Sequence, residues 1–221
     1  AWTPKLTAPY TVHIESASTI YANKDSTNLF SYIGNAETCK ATETITGIGN
    51  LDVSNTTNMT RMFQRTGNQA MTKLDLGSNF NTSNVTAMGG MFGGTGYKAM
   101  TTLNLGSKFY TSKVTSMDYM FQECGGLKMT SLNLGSNFNT SNVTTMSALL
   151  CKCGYTAMTT LNLGSNFNTS SVIYMQLMFE ECGYTAMTSL NLGSLFDTSK
   201  VTNMRQMFSG CYGITALNLS K

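Results

Sequence analysis

The sequence predicts an α/β fold in which repeated units coil into a right-handed solenoid, with a parallel sheet on one side and short helices on the other. A 29-residue period runs through most of the 221 residues, and a period of that length is typical of solenoids. Inside each unit, one short segment alternates apolar and polar residues, and a second places apolar residues at helical spacing. The period is marked by the leucines of a Leu-Gly-Ser motif: Leu76, Leu105, Leu134, Leu163 and Leu192.

The first element of each unit is predicted to be a short strand. In residues 129–134, Leu132 and Leu134 alternate with Ser131 and Asn133, which is the pattern of a half-buried strand. One unit is too small to bury its own apolar face, so the strands of successive units are expected to pair in parallel and share one core. This arrangement makes the predicted fold leucine-rich-repeat-like.

The second element is predicted to be a short helix. Val85, Met88, Met91 and Phe92 lie at positions i, i+3, i+6 and i+7, which forms one apolar stripe on a helix. The Thr-Ser pair at 82–83 precedes the stripe, where a hydroxyl is expected to cap the first turn. A glycine then follows in most units, where a left-handed cap would end the helix: Gly96, Gly125, Gly154 and Gly183.

The methionines and phenylalanines are predicted to fill the core. All 16 methionines fall in three columns of equivalent positions, represented by Met88, Met91 and Met100. Ten of the 11 phenylalanines fall in two more, represented by Phe92 and Phe109. Because methionine at repeated core positions is ordinary packing, a reactive or metal-binding methionine cluster is not predicted.

Two regions are predicted along the chain. Residues 1–41 do not follow the period and are expected to form an N-terminal cap that shields the first unit. Residues 42–221 are expected to form six 29-residue repeats and a seventh strand near residues 214–219, truncated without a C-terminal cap. An uncapped strand is a template for pairing, so we expect the natural sequence to continue past Lys221, or this end to self-associate end to end.

Composition argues against several classes of partner. Charged residues make up 11% of the chain, and the net charge of +3 comes from basic residues scattered without a run. Nucleic acid is therefore not an expected partner. No apolar stretch approaches the roughly 20 residues that span a bilayer, so direct membrane insertion is not expected either.

The string at 132–146, together with Met120, Phe121 and Cys124 of the preceding unit, resembles the BspA-like family of bacterial leucine-rich-repeat surface proteins. The resemblance covers residues 42–219. It implies an extracellular or cell-wall-attached protein of a bacterium, or less often of a parasitic protist. It also implies adhesion to host matrix proteins or cells.

This sequence departs from the family pattern at two points. The Leu-Gly-Ser-Asn-Phe loop has one extra residue, and Leu149 and Leu150 replace the Met-Phe pair in the fourth unit. Neither departure carries chemistry. The family has no shared catalytic residues, so the resemblance supports a binding role without naming a ligand.

Four cysteines form one column of equivalent positions. Thr66 and Thr95 occupy the same column in the first two units, which indicates that the position requires a small side chain. Stacked neighbours would come close enough for disulfide bonds, but a reduced and buried ladder is favoured, since free cysteine packs as a small hydrophobe. The column contains Cys124, Cys153, Cys182 and Cys211.

Other polar residues give no catalytic or metal site. Cys151 and Cys153 form only a weak metal motif, because no second Cys/His pair lies at zinc spacing. His13 and Cys39 have no evident partner. Lys152 lies between Glu123 and Glu181 of the same column, which predicts a small surface ion-pair ladder. The chain is therefore predicted not to be an enzyme and to need no cofactor.

The favoured binding surface is the outward face of the strands. Seven strands at ~4.8 Å spacing would form a ribbon about 29 Å long that is lined by short polar side chains, which suits an extended partner. The same side chains are also consistent with simple solvation of the sheet. The predicted face comprises Lys73, Asp75, Thr102, Asn104, Ser131, Asn133, Thr160, Asn162, Ser189 and Asn191.

A second candidate surface is formed by Tyr97, Tyr155 and Tyr184, which recur after the predicted helix and would offer stacking faces. Two functions follow from these surfaces. The first is adhesion to a host extracellular-matrix protein or glycan, and the alternative is a structural stalk or spacer that holds another domain away from the cell. A weaker alternative is an ice-binding face made by the threonine column that includes Thr101 and Thr130.

Overall fold

Short strands and turns make up the structure. The computed structural model of the chain covers residues 10–35 and 42–217, and within these residues the only helix is a 3₁₀ turn at Ile48–Asn50. The strands are β1 (Tyr10–His13), β2 (Ile20–Tyr21), β3 (Thr42–Thr46), β4 (Leu51–Asp52), β5 (Lys73–Asp75), β6 (Thr102–Asn104), β7 (Ser131–Asn133) and β8 (Thr160–Asn162).

All strand pairing is parallel, as the sequence predicts. β1 pairs with β3, β2 with β4, β5 with β6, and β7 with β8. Residues 29 positions apart face each other, so Leu74 lies opposite Leu103, and Leu132 lies opposite Leu161. The expectation of one continuous sheet is wrong, because β6 and β7 are not paired in the part of the chain covered by the structure.

A second set of parallel contacts runs through the segment predicted to be helical. Asn58, Ala87 and Ser116 pair in sequence, and the same bridging continues through residues 145, 174 and 203. After each of these bridges except the one at residue 203, alternate backbone N–H groups donate to carbonyls of the next unit. Phe63, for example, donates to Met91 over 2.9 Å. We call this segment, residues 58–66 and its equivalents in each unit, the turn ladder.

The predicted helices are wrong, and the turn ladder stands in their place. Met62 donates to the carbonyl of Met59 and Gln64 to that of Arg61, so each unit contains successive tight turns. Arg61 and Arg65 have φ angles of 56° and 53°, in the left-handed region. Left-handed residues turn alternate peptide groups toward the next unit. Backbone hydrogen bonds therefore join units instead of closing helical turns.

The predicted caps also have different roles. Thr82 is buried, and its hydroxyl donates to the carbonyl of Tyr110 in the next unit over 2.7 Å. Gly96 is left-handed as predicted, with φ of 57°, but it ends no helix. A Cβ at Gly96 would lie 2.3 Å from the Cβ of Met100, so the turn into the next strand requires glycine.

The predicted core residues are buried. The three methionine columns are fully buried in the inner units, at Met88, Met91 and Met100 for example. Phe63 stacks between Phe30 and Phe92, with ring centroids 5.3 and 5.6 Å apart. The apolar spacing therefore predicts the core correctly, although the backbone that carries it is not helical.

Two equivalent glycines offer a matched test of the strand pairing. Gly106 and Gly135 both have φ of 77°, but a Cβ at Gly106 would lie 1.9 Å from the carbonyl oxygen of Gly77, whereas a Cβ at Gly135 meets no atom within 4 Å. Gly135→Ala should cost about 1–2 kcal/mol of unfolding free energy through left-handed strain alone. Gly106→Ala should cost clearly more, because β5 and β6 must separate. Equal losses in urea denaturation would contradict the paired arrangement.

Candidate functional site

The predicted strand face lies on the outside of the structure. In each of β5 to β8 the central leucine is buried, and the residues on either side point away from the core. Asp75 is half-buried, and the other nine predicted residues are exposed. The face is interrupted between β6 and β7 and again after β8, so it is not one long ribbon. Ser189 and Asn191 lie outside the strands, where Ser189 forms an isolated bridge with Ala216.

In three asparagines of this face, the side-chain oxygen accepts a hydrogen bond from the turn that follows the asparagine. The side-chain oxygen of Asn133 accepts the N–H of Gly135 over 3.1 Å, and that of Asn162 accepts the N–H of Gly164 over 3.0 Å. Asn191 repeats the arrangement at 2.9 Å. The Nδ2 groups of these three asparagines make no hydrogen bond within residues 10–35 and 42–217. The face therefore offers hydrogen-bond donors to a partner.

The charged residues of the strand face, Lys73 and Asp75, both lie on β5. Lys73 Nζ lies 2.9 Å from Asp75 Oδ2, and Asn104 Nδ2 donates to Asp75 Oδ1 over 3.0 Å. Burial opposes ionisation of Asp75, but the hydrogen bonds from Lys73, Gly77 and Asn104 and the charge of Lys73 outweigh it. The pKa of this carboxyl is therefore lowered. From β6 to β8 the face is neutral and polar.

The threonine column beside the strands is exposed, and alternate hydroxyls of the column have backbone partners. The Thr101 hydroxyl donates to the carbonyl of Thr72 over 3.2 Å, and the Thr159 hydroxyl donates to that of Thr130 over 3.3 Å. The hydroxyls of Thr72 and Thr130 make no hydrogen bond among the described residues. The column is therefore not a uniform row of free hydroxyl donors.

The tyrosines form a cluster with a different membership from the predicted one. Tyr155 and Tyr184 have ring centroids 4.9 Å apart, and Tyr212 meets Tyr184 edge to face at 5.2 Å with 74% of its surface exposed. We call these three residues the tyrosine cluster. Tyr97 lies apart, covering Gly126, where a Cβ would come within 2.3 Å of its ring. The repeat pattern does not predict Tyr212, because this residue precedes by one position the column of Tyr155 and Tyr184.

A further cleft was not found from the sequence. The second unit has glycine at four ladder positions, within the string Gly-Gly-Met-Phe-Gly-Gly at 89–94, where most other units carry side chains. A cleft of about 340 Å³ opens there between Arg61 and Gln64 on one side and Tyr119 and Gln122 on the other. The glycines at 89–94, which depart from the repeat, are the sequence feature that could have indicated this cleft.

The cysteine column is unbridged, as predicted. Cys124, Cys153 and Cys182 are buried, and Cys211 is half-buried. The Cys211 thiol donates to the carbonyl of Phe179 over 3.0 Å, in the same way that the Thr95 hydroxyl donates to the carbonyl of Phe63 over 2.7 Å. Threonine and cysteine can share the column because both side chains are small, and Cys211 reproduces the hydrogen bond of Thr95.

Burial keeps the thiols in their neutral form. It raises the pKa of Cys124, Cys153 and Cys182, and at Cys153 and Cys182 the neighbouring cysteines act in the same direction. Outside the column, burial and the hydrogen bond to Glu180 raise the pKa of Cys151 to about 12. None of these groups is an activated nucleophile, because nucleophilic cysteines require a lowered pKa.

The remaining polar candidates make only local contacts among the described residues. His13 is exposed, with Nδ1 2.7 Å from the Thr46 hydroxyl, and Cys39 lies outside the residues that the structure covers. Of the predicted ion-pair ladder, the described residues show the pair between Lys152 and Glu181, which is half-buried at 3.5 Å and contributes little to stability. Across residues 10–35 and 42–217, no three His, Cys, Asp or Glu side chains are grouped to hold a metal ion. No helix there is long and apolar enough to cross a membrane.

The thiol environments predict a pattern of chemical modification. In the native protein at pH 8, iodoacetamide should label Cys124, Cys153 and Cys182 extremely slowly, because they are buried and protonated. Half-buried Cys211 should react first among the column, and denaturation should expose all four. Mass spectrometry of tryptic peptides measures this. Rapid native labelling of Cys153 would contradict the buried column, and an absence of free thiols after denaturation without reductant would contradict the unbridged state.

Comparison with known proteins identifies a family whose function is unknown. A family model described as "Mycoplasma protein of unknown function, DUF285" matches residues 27–149 and again residues 127–219. No curated protein and no solved structure gives a significant match. The two matches together cover residues 27–219, which is most of the chain and includes the turn ladder from residue 58 onward. The chain therefore belongs to the DUF285 family of Mycoplasma proteins of unknown function.

Proposed function

We propose that this chain is a cell-surface binding module, outside the cell, that holds an extended host matrix protein or glycan along its strand face. The units would coil as a right-handed solenoid in the manner of BspA-like surface proteins. The support for the coil is that β5 pairs with β6 and β7 with β8, and that the bridges of the turn ladder from Asn58 onward also join residues 29 positions apart in parallel. The BspA-like motif at 132–146 supports the bacterial surface location.

The exposed asparagine amides are the observation that carries the proposal. Their oxygens are fixed by the glycine N–H groups two residues later, which orients each Nδ2 group in a repeated direction. Hydroxyls of Ser131 and Thr160 lie beside them in register. Donors repeated at strand spacing match the acceptors of an extended peptide backbone or a glycan chain. The low charge of the face favours short-range contacts over electrostatic steering.

No catalytic role is part of this proposal. The buried thiols have raised pKa values, so they are not activated nucleophiles. Catalysis by a side-chain nucleophile requires activation by a base or by a lowered pKa. Binding energy from a repeated surface requires neither.

The tyrosine cluster is the second candidate for the contact surface. Tyr184 and Tyr212 together offer ring faces and edges at one side of the last units, and Tyr212 is the most exposed large apolar residue of the covered chain. Aromatic rings with a polar tip suit glycan stacking and protein contacts. A stalk, in contrast, needs neither the strand face nor the tyrosines.

The test uses substitutions that block the face without removing a hydrogen bond. Ser131 and Thr160 are exposed neighbours whose side chains make no hydrogen bond within the covered residues. Ser131→Arg with Thr160→Arg should weaken binding to its ligand, found by screening immobilised collagen, fibronectin, laminin and a mammalian glycan array, by about tenfold or more. Ser112→Arg with Ser199→Arg is the matched control, since it adds the same charge on a loop and should leave binding unchanged.

Three results would redirect the proposal. If the strand-face variant binds normally while Tyr184→Ala with Tyr212→Ala does not, the contact surface is the tyrosine cluster. If both variants bind normally, neither surface is used. If the unmodified chain binds nothing in the screen, the stalk becomes the better account.

A further inference from the structure

The cleft at the second unit of the turn ladder has the size of a small-molecule site. Its volume of about 340 Å³ falls within the roughly 300–1,000 Å³ that such sites occupy. Side chains of the first and third units form its two walls, and glycines of the second unit form its floor. The wall residues are Thr60, Arg61 and Gln64 on one side and Asp118, Tyr119 and Gln122 on the other.

Most polar groups of the walls have no hydrogen-bond partner in the described part of the chain. These groups are the Arg61 guanidinium, the Gln64 and Gln122 amides and the Tyr119 hydroxyl. On the floor, the N–H of Gly89 also has no acceptor among the described residues. The cleft therefore offers several hydrogen-bonding groups to an occupant.

The unpaired charge of the cleft is a cation. Asp118 Oδ1 accepts the Thr145 hydroxyl over 2.5 Å and the Ser147 N–H over 2.7 Å, so this carboxylate is held by the next unit. Arg61 has no anionic partner within residues 10–35 and 42–217. Its side chain leans over the floor, because a Cβ at Gly90 would lie 3.2 Å from Arg61 Cγ. An occupant with an anionic group is therefore favoured on the Arg61 side.

The width of the cleft suits a single ring. Units that pair in parallel are about 4.8 Å apart, so the first and third units lie about 10 Å apart. In the core, the same stacking places the phenylalanine rings of these three units 5.6 and 5.4 Å apart. A ring at the level of the second unit would lie at a similar stacking distance from Tyr119, which is 50% exposed.

We propose that this cleft binds a sugar ring that carries a carboxylate, which is the chemistry of uronic and sialic acid units in glycans. The C–H face of the ring stacks on Tyr119, and its carboxylate accepts two N–H groups of Arg61. Its hydroxyls bind the amides of Gln64 and Gln122, which both donate and accept hydrogen bonds. The cleft and the strand face share no residue, so this binding does not depend on the strand-face function.

Ligand-observed NMR titration with the methyl glycosides of glucuronic acid, N-acetylneuraminic acid and glucose tests the proposal. At least one acidic glycoside should bind about tenfold or more tightly than the neutral glucoside, and the one that does so identifies the source of the acidic ring. Arg61→Gln should remove this preference, because the amide carries no charge. Tyr119→Ala should weaken binding of the acidic glycoside by about tenfold, because the stacking face is lost.

Restoring the missing side chain fills the cleft. Gly93 occupies the column of Gln64 and Gln122, and a Cβ there would meet no listed neighbour closer than 3.4 Å. Gly93→Gln should therefore keep the melting temperature of the unmodified chain and abolish binding. Ser209→Gln is the matched control, since it adds the same side chain in the same column outside the cleft, and it should bind normally.

Three outcomes would overturn the proposal. The first is that neither acidic glycoside binds more tightly than the glucoside. The second is that the preference for the acidic ring survives Arg61→Gln. The third is that a folded Gly93→Gln variant binds as well as the Ser209→Gln control.

Discussion

The parallel backbone hydrogen bonds of the turn ladder are the interaction on which the rest of the structure depends. They need left-handed residues at fixed positions, and 11 non-glycine residues of the described chain adopt positive φ for this purpose. Each left-handed residue costs roughly 1–2 kcal/mol. The cost is offset because four alternate peptide groups in most units are satisfied by the next unit. A single unit would carry the strain without that compensation.

This constraint explains why the columns are so uniform in the core and so variable outside it. A hydrogen bond between equivalent residues fixes the register, so Phe63, Phe92 and Phe121 must stack on one another at 5.6 and 5.4 Å. A change of size in one unit would disturb both neighbours. Outward positions are free to differ, and there the second unit replaces side chains by glycine and opens the cleft beside Tyr119.

The period, the core and the parallel pairing were predictable from the sequence, because they depend only on which residues recur. The turn ladder was not predictable and was mistaken for helices, because successive tight turns also place apolar side chains three and four residues apart. The left-handed positions are occupied by residues such as Arg61, Glu123 and Leu177. Because these residues are not glycine, the sequence does not indicate that the helix is interrupted there. The outward direction of Asn133 followed from strand alternation, whereas Tyr212 reached the tyrosine cluster from a neighbouring column that sequence spacing alone does not connect.

Amide hydrogen exchange of the chain labelled with ¹⁵N only at phenylalanine tests the turn ladder most directly. At a concentration low enough to keep single copies, Phe63, Phe92, Phe121 and Phe179 should exchange slowly, because each N–H donates to the next unit. Phe208, in the same column, should exchange fast, because its N–H has no acceptor in the described part of the chain. A helix would instead bond the Phe208 N–H to the carbonyl of Met204, within its own unit. Protection of Phe208 equal to that of Phe179 in single copies would therefore contradict the ladder.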